Sequence, residues 1–239
     1  MGEPRLSLSC SFPRQLLSAD TEAAARSLIG ARLARGRGAE AAIGRIVEVE
    51  AYAGLDDLAS HARSGRTGRN AVMFGPPGVA YVYLVYGMHH CLNVVTEPEG
   101  RAAALLIRAV EPVQGEDRMR AARLRWTRGR AIRYAGASDE AASLRIEGLP
   151  PNRLASGPGL VCAAFSIGRH DDGSDLCEPA SDLRLEIAAE DEPLPVATGP
   201  RVGIDYAPEP WLSCPWRFFV PGNASLSVVV PPARRRVAS

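Results

Sequence analysis

The segment AIGRIVEVEAY (42–52) alternates apolar and polar residues, and that period of two belongs to a strand and not to a helix. Side chains two apart share a face, so Glu48, Glu50 and Tyr52 project one way while Val47, Val49 and Ala51 point into a core. The expectation is a half-exposed strand with carboxylates beside an aromatic ring. ARLAR (31–35) precedes it across the turn-like GRGAE, which predicts a hairpin. After LDDLASHARSGRTGRN, a polar loop, and the strong turn FGPPG, the run VAYVYLVYGM is β-rich and aromatic, and AAALLIRAVEP is a third strand ended by proline. Tyr81 and Tyr83 share one face of their strand; Leu84 and Tyr86 share the other, with Tyr86 beside Gly87 at the strand's end.

Helices are fewer. Asp20 caps a short helix over TEAAARSLI, with Glu22 in its first turn and Gly30 as its stop. From Gly115 to Arg133 the arginine-rich run predicts a basic helix running into a loop, and such a run is often only a solvated face. SGPGLVCAAFSIG predicts a short buried helix closed by Gly168, and a mixed tail follows with RVGIDYA, WRFFV and SLSVVV as its best strands. These elements fit one α+β domain over residues 11–230. A flexible N-terminus (1–10), a mobile insertion (134–155) and a disordered tail (231–239) complete the expected organisation.

With 239 residues, 46% of them hydrophobic, the chain can bury one sizeable core. A net charge of +1 gives no support by itself for binding a phosphate backbone. Its distribution says more: all 28 basic residues are arginine, so amine-nucleophile chemistry is left with the N-terminus alone. The five cysteines are scattered without a C-x-x-C pair, which fits a reducing cytosol and no zinc knuckle. His89, His90 and Cys91 are adjacent strand residues on alternating faces, a poor ligand set, and no metal is expected. No apolar leader or long apolar run is present, so the chain reads as soluble and cytoplasmic.

The blocks GRIVEVEAYAGLDDLASHA, GRTGRNAVMFGPPGVAYVYLVYGMHHCLNVV, LLIRAVEP, SGPGLVCAAFSIG and RVGIDYA with PWRFF resemble the alkyladenine (3-methyladenine) DNA glycosylase family, in that family's order and over most of the chain. The resemblance implies a single mixed α+β domain around a curved antiparallel sheet, formyltransferase C-terminal-like. It implies an enzyme that flips an alkylated or deaminated purine out of double-stranded DNA and hydrolyses the N-glycosidic bond without lyase activity. By position, Glu50 matches the general base that deprotonates water and Arg108 the residue that orients it. Tyr52, His61 and Tyr83 match the stacking faces, and the backbone around Ala59 and His61 the contact to an adenine-type edge. Asn93 matches the residue that crowds the exocyclic amine of guanine, Tyr86 the wedge that fills the vacated stack, and Arg69 a phosphate contact that the 118–133 run could extend. No cofactor is implied; the expected partner is duplex DNA containing damaged purines, bound by a monomer, cytoplasmic and nucleoid-associated if bacterial.

The residues agree with this reading on their own chemistry. Extrusion and aromatic stacking are what access to a stacked base requires, and an isolated charge such as Arg108 in an apolar strand needs a partner such as Glu50. Bland readings stand beside it: solvated glutamates, tyrosines that merely pack a sheet, an Arg108 that closes a structural salt bridge. A catalytically silent damage-binding module on the same scaffold is the main alternative, though Glu50 is intact. A zinc deaminase needs H-x-E and P-C-x-x-C, both lacking here. Likeness to the formyltransferase C-terminal fold alone would imply RNA or nucleotide binding, and the serial blocks outweigh it.

Overall fold

The computed structural model describes residues 9–134, 144–188 and 192–228. Along the chain run β1 (Ser9–Ser11), α1 (Arg14–Leu17), α2 (Thr21–Leu28), β2 (Arg32–Arg35), β3 (Ala42–Ala53), β4 (Ala80–Val85), β5 (His89–Val95), β6 (Ala103–Gln114), α3 (Glu116–Tyr134), α4 (Pro158–Ala164), β7 (Leu183–Ala188), β8 (Ala197–Gly199) and β9 (Arg217–Phe219). All named strand pairs are antiparallel, in the order β1-β7-β2-β3-β6-β5-β4, with β9 pairing both β3 and β8. This is the mixed α+β domain with a curved antiparallel sheet that the resemblance implies.

β3 is the axis of the sheet. One of its edges pairs with β6 along its length; the other pairs first with β2 and then, from Glu48 to Glu50, with β9. Register shifts at Ile43/Gly44 and on both sides of Glu48 bend the β3–β6 ladder, because each extra residue kinks its strand and increases local twist. Gly44 sits at the first of these. A Cβ there would lie 2.4 Å from Val110 Cγ1 and 2.9 Å from the Glu111 carbonyl, so only glycine lets the strands approach.

α2 packs on β3, and α4 packs on β5 and β6. Leu28, Leu33, Ile46, Val49, Leu92, Leu105, Ile107, Phe165 and Phe218 bury together beneath them. Asp20 caps α2 as expected, its carboxylate accepting the Ala23 amide, and Gly30 follows the helix at φ +91°.

Several expectations are corrected. Glu48 and Glu50 are not half-exposed: both are 0% accessible, because β3 is central and the chain's C-terminal loops cover its polar side. Pro112 does not end β6, which continues to Gln114; the proline lies opposite Gly44 at the register shift, where the regular ladder is interrupted. RVGIDYA is a loop, not a strand, and residues 225–228 of SLSVVV are irregular, with the rest of that segment outside the described residues. LRLEIA, unremarked in the sequence, forms β7 between β1 and β2. α4 ends at Ala164, and the chain then passes through Ser166 at φ 52° before Gly168.

Of the expected flexible N-terminus, residues 1–8 lie outside the described residues while Ser9–Ser11 pair with β7. The expected tail (231–239) and residues 135–143 of the expected insertion also lie outside them. The described remainder of that insertion packs: Ile146, Leu154 and Ala155 are buried. The arginine run is helical throughout its described part, and its first members are structural. Arg118 pairs with Glu40, Arg120 donates to the Ile146 carbonyl at 2.9 Å, and buried Arg123 donates to the Leu154 carbonyl at 2.6 Å. No described helix is long and apolar enough to cross a membrane.

Candidate active site

A cleft of about 610 Å³ opens between the β4–β5 hairpin and the 201–206 loop, lined by Tyr52, His61, Tyr83, Asn93, Arg108 and Val202 among others. Period-two geometry on β3 brings Glu50 and Tyr52 to the same face, where the Tyr52 hydroxyl donates to Glu50 Oε2 at 3.1 Å. Antiparallel pairing lays β6 beside them, and Arg108 Nη1 donates to the same oxygen at 3.1 Å. The Val202 amide donates to the other oxygen, Oε1, at 2.6 Å. Glu50 is therefore a buried carboxylate with donors on both oxygens, and its partners Tyr52, Arg108 and Val202 line the cleft.

Burial raises the Glu50 carboxyl above the ordinary glutamate value, and the neighbouring Glu48 charge adds to that; Arg108, the Val202 amide and Tyr52 pull it back. Burial works against the Arg108 charge too, but Glu50 and Glu48 outweigh it and hold the guanidinium above its ordinary range. Burial, then the Glu50 charge, pushes the Tyr52 phenol well above its usual value, so that it donates to the carboxylate as a neutral group.

His61 and Tyr83 meet edge to face with centroids 4.4 Å apart, and His61 Nδ1 lies 3.1 Å from the Tyr81 hydroxyl. These two rings thus make one wall of the cleft, with Tyr52 contributing separately. Burial and then the charges of Arg69 and Arg63 push the His61 imidazole below its ordinary value, so the ring stays neutral and presents an aromatic face. Asn70, 2% exposed, holds this loop in place by donating to the His61 and Gly65 carbonyls at 2.9 Å each.

Asn93 is 3% exposed, and its Nδ2 donates to the Tyr81 carbonyl across the β4–β5 pair at 3.1 Å, with Oδ1 left unpartnered among the described residues. The Ala59 amide is taken by Asp57 Oδ1 at 3.0 Å, and its carbonyl accepts the Tyr206 hydroxyl at 2.9 Å. Ala59 therefore enters the site already bonded within the protein. Tyr86 lies at the rim, 86% exposed, in a hairpin turn where it and Gly87 both have positive φ, the arrangement of an I′ turn. For a bulky residue that backbone is strained, and it projects the ring outward. Arg69 is exposed at the same rim and donates to the Leu84 carbonyl at 3.1 Å.

Reading the sequence missed a buried clamp. Arg201 and Asp57, both with fully buried side chains, form a bidentate pair at 2.7 and 2.9 Å, and Arg201 also donates to the Ala51 carbonyl at 2.9 Å. Its guanidinium lies over Tyr52 at 4.7 Å and over Trp216 at 5.2 Å. The clamp ties the end of β3, the 57–61 loop and the 201–206 loop together, which sets the Val202 amide on Glu50. The acidic pair Asp56–Asp57 was a signal, but its partner is 144 residues away in sequence. Metal-ligand clusters of His, Cys, Asp or Glu are absent among the described residues.

Residues 15–224 match the family model described as methylpurine-DNA glycosylase (MPG). Among curated proteins, relatives named "Putative 3-methyladenine DNA glycosylase" occur in Myxococcus xanthus (strain DK1622), 42% identical over 90% of this chain and 92% of the relative. Others are found in Methanocella arvoryzae (strain DSM 22066 / NBRC 105507 / MRE50), 42% identical over 92% and 97%, and in Bacillus cereus (strain G9842), 39% identical over 90% and 98%. The chain belongs to the methylpurine-DNA glycosylase family, enzymes that hydrolyse N-glycosyl bonds.

Proposed function

We propose that this chain rotates an alkylated purine, 3-methyladenine foremost, out of duplex DNA into the cleft and hydrolyses its N-glycosidic bond, leaving an abasic site. The observation that carries the reading is Glu50, a buried carboxylate held by Arg108, Tyr52 and the Val202 amide, residues that themselves line the aromatic cleft. Glu50 accepts a proton from water as the water oxygen bonds to the sugar C1′. The C1′–N bond breaks and its electron pair returns to the purine, which in the case of 3-methyladenine is already cationic and leaves neutral without a general acid. Arg108 orients the attacking water beside Glu50. Tyr52, His61 and Tyr83 stack on the base, Asn93 meets its edge, Tyr86 occupies the gap in the duplex, and Arg69 meets phosphate.

The deciding experiment is base release from duplexes carrying 3-methyladenine, 7-methylguanine, 1,N6-ethenoadenine or hypoxanthine. Release of at least one base is expected; binding to all with release of none would make the protein a damage binder.

Selectivity follows from position 93. Asn93→Ser removes both bulk and the bond to the Tyr81 carbonyl, and is expected to raise release of mismatched guanine relative to hypoxanthine by on the order of 10–200-fold, the span of one small steric clash. Single-turnover rates for both bases measure it, and an unchanged ratio assigns Asn93 to the sheet alone. The chain's lack of lysine makes a further prediction: borohydride traps no covalent DNA adduct and the abasic strand stays intact. A trapped adduct would replace water with an amine as nucleophile.

A further inference from the structure

Behind Glu50 lies a second carboxylate that the proposed chemistry does not use. Glu48 is 0% accessible, and its Oε1 accepts Arg108 Nε at 3.1 Å and the Ser227 hydroxyl at 2.8 Å, while Oε2 accepts the Ser227 amide at 2.7 Å. Ser227 Oγ also lies 3.1 Å from Arg108 Nη2. Arg217 adds a close charge contact, its Nε 3.2 Å from Glu48 Oε1 at an angle that makes no hydrogen bond. Arg108 therefore has a back edge gripped by Glu48 and Ser227 and a front nitrogen, Nη1, left for Glu50.

Both oxygens of a buried carboxylate need donors, and Arg108 and Ser227 supply them to Glu48. Glu48 lies between two register shifts of the β3–β6 ladder, and it and Glu50 share one guanidinium through different nitrogens. We propose that Glu48 is a positioning residue for hydrolysis: with Ser227 it fixes the Arg108 guanidinium against Glu50, and its charge offsets that of Arg108 and Arg217 so that Glu50 remains a competent base. The proposal rests on the reading of Glu50 as the base.

The groups facing Glu50 are Glu48 and Tyr52 on β3, Arg108 on β6, Tyr83 and Cys91 on β4 and β5, Arg201 beside Val202, and Arg217 opposite it on β9. Among them the Glu48 charge raises the Glu50 carboxyl and the Arg108 charge lowers it. Replacing Glu48 by a neutral amide leaves both arginines facing one carboxylate, so Glu50 gives up its proton at lower pH and becomes a weaker base. Glu48→Gln is therefore expected to move the acid limb of the single-turnover rate to lower pH. It is also expected to lower the plateau on the order of 100-fold, the scale of displacing a group in a reacting array by about 1 Å.

The test measures single-turnover base release against pH for wild type, Glu48→Gln, Ser227→Ala and Glu50→Gln, with duplex affinity and melting in parallel. Ser227→Ala keeps the Glu48 charge but loosens Arg108, and is expected to slow release while leaving the acid limb in place. A shifted limb in Glu48→Gln with retained duplex affinity supports the proposal; an unmoved limb while Glu50→Gln is inactive overturns it. If Glu48→Gln does not fold, Ser227→Ala decides: slowed release at unchanged affinity supports the positioning role, and wild-type release overturns it. Activity in Glu50→Gln overturns the reading of the base, and the proposal with it.

Discussion

Glu50→Gln is expected to abolish measurable base release, lowering the single-turnover rate by about 10²–10⁴-fold, while the variant still binds damaged duplex with near wild-type affinity. The amide keeps the shape of the side chain but cannot take a proton from water. It also cannot accept at both oxygens: Oε2 receives Arg108 and Tyr52, Oε1 receives the Val202 amide, and one of these donors will face an NH2 group. Some loss of stability accompanies the loss of rate for that reason. Gel shift and rapid-quench release on the same duplex separate binding from chemistry; release close to that of wild type would remove Glu50 from the mechanism.

The second large effect is on the fold. Arg108→Ala leaves Glu48 and Glu50, both 0% accessible, without the cation that bridges them. Removing one partner of such a buried array costs about 3–5 kcal/mol, which for a domain of this size corresponds to a melting point about 6–20 °C lower. The pH dependence has a definite sign. The Glu50 carboxyl already titrates above its ordinary value because of burial, and Arg108 is the largest influence holding it down. In Arg108→Ala it rises further above the unfolded value, so folding favours the protonated form. The stability it contributes is present below the ordinary glutamate range and is lost as pH rises through the raised folded value. Melting curves across acidic to neutral pH should therefore show the gap to wild type closing on acidification; a constant gap would mean that the carboxylates do not depend on Arg108 for compensation.

The sequence was most legible where the physics is local. Alternation placed Glu48, Glu50 and Tyr52 together, Asp20 announced the start of α2, and Gly87 marked the end of the strand that carries Tyr83. It misled where a local rule met a non-local partner. Pro112 reads as a strand terminator, yet opposite Gly44 the bulged ladder passes through it. RVGIDYA has strand composition, but Arg201 is drawn into the clamp with Asp57, Tyr52 and Trp216, and the segment becomes a loop whose Val202 amide serves Glu50. Within the arginine run, Arg118, Arg120 and Arg123 hold α3 to Glu40 and to the 146–154 segment, partners that no local rule names.

By itself the sequence determined the strand-rich character of the chain, the sharing of a face by Glu50 and Tyr52, and the order of the blocks that align it with its family, because these depend on residue type and on neighbours a few positions away. Only the tertiary structure decided that both carboxylates of β3 are buried, that one arginine joins them, and that residues some 150 to 180 positions downstream, Val202 and Ser227, complete their ligation. A strand's own residues set which side chains share a face, but which face is covered depends on what the rest of the chain folds over it, and the charge state of a carboxylate depends on that cover.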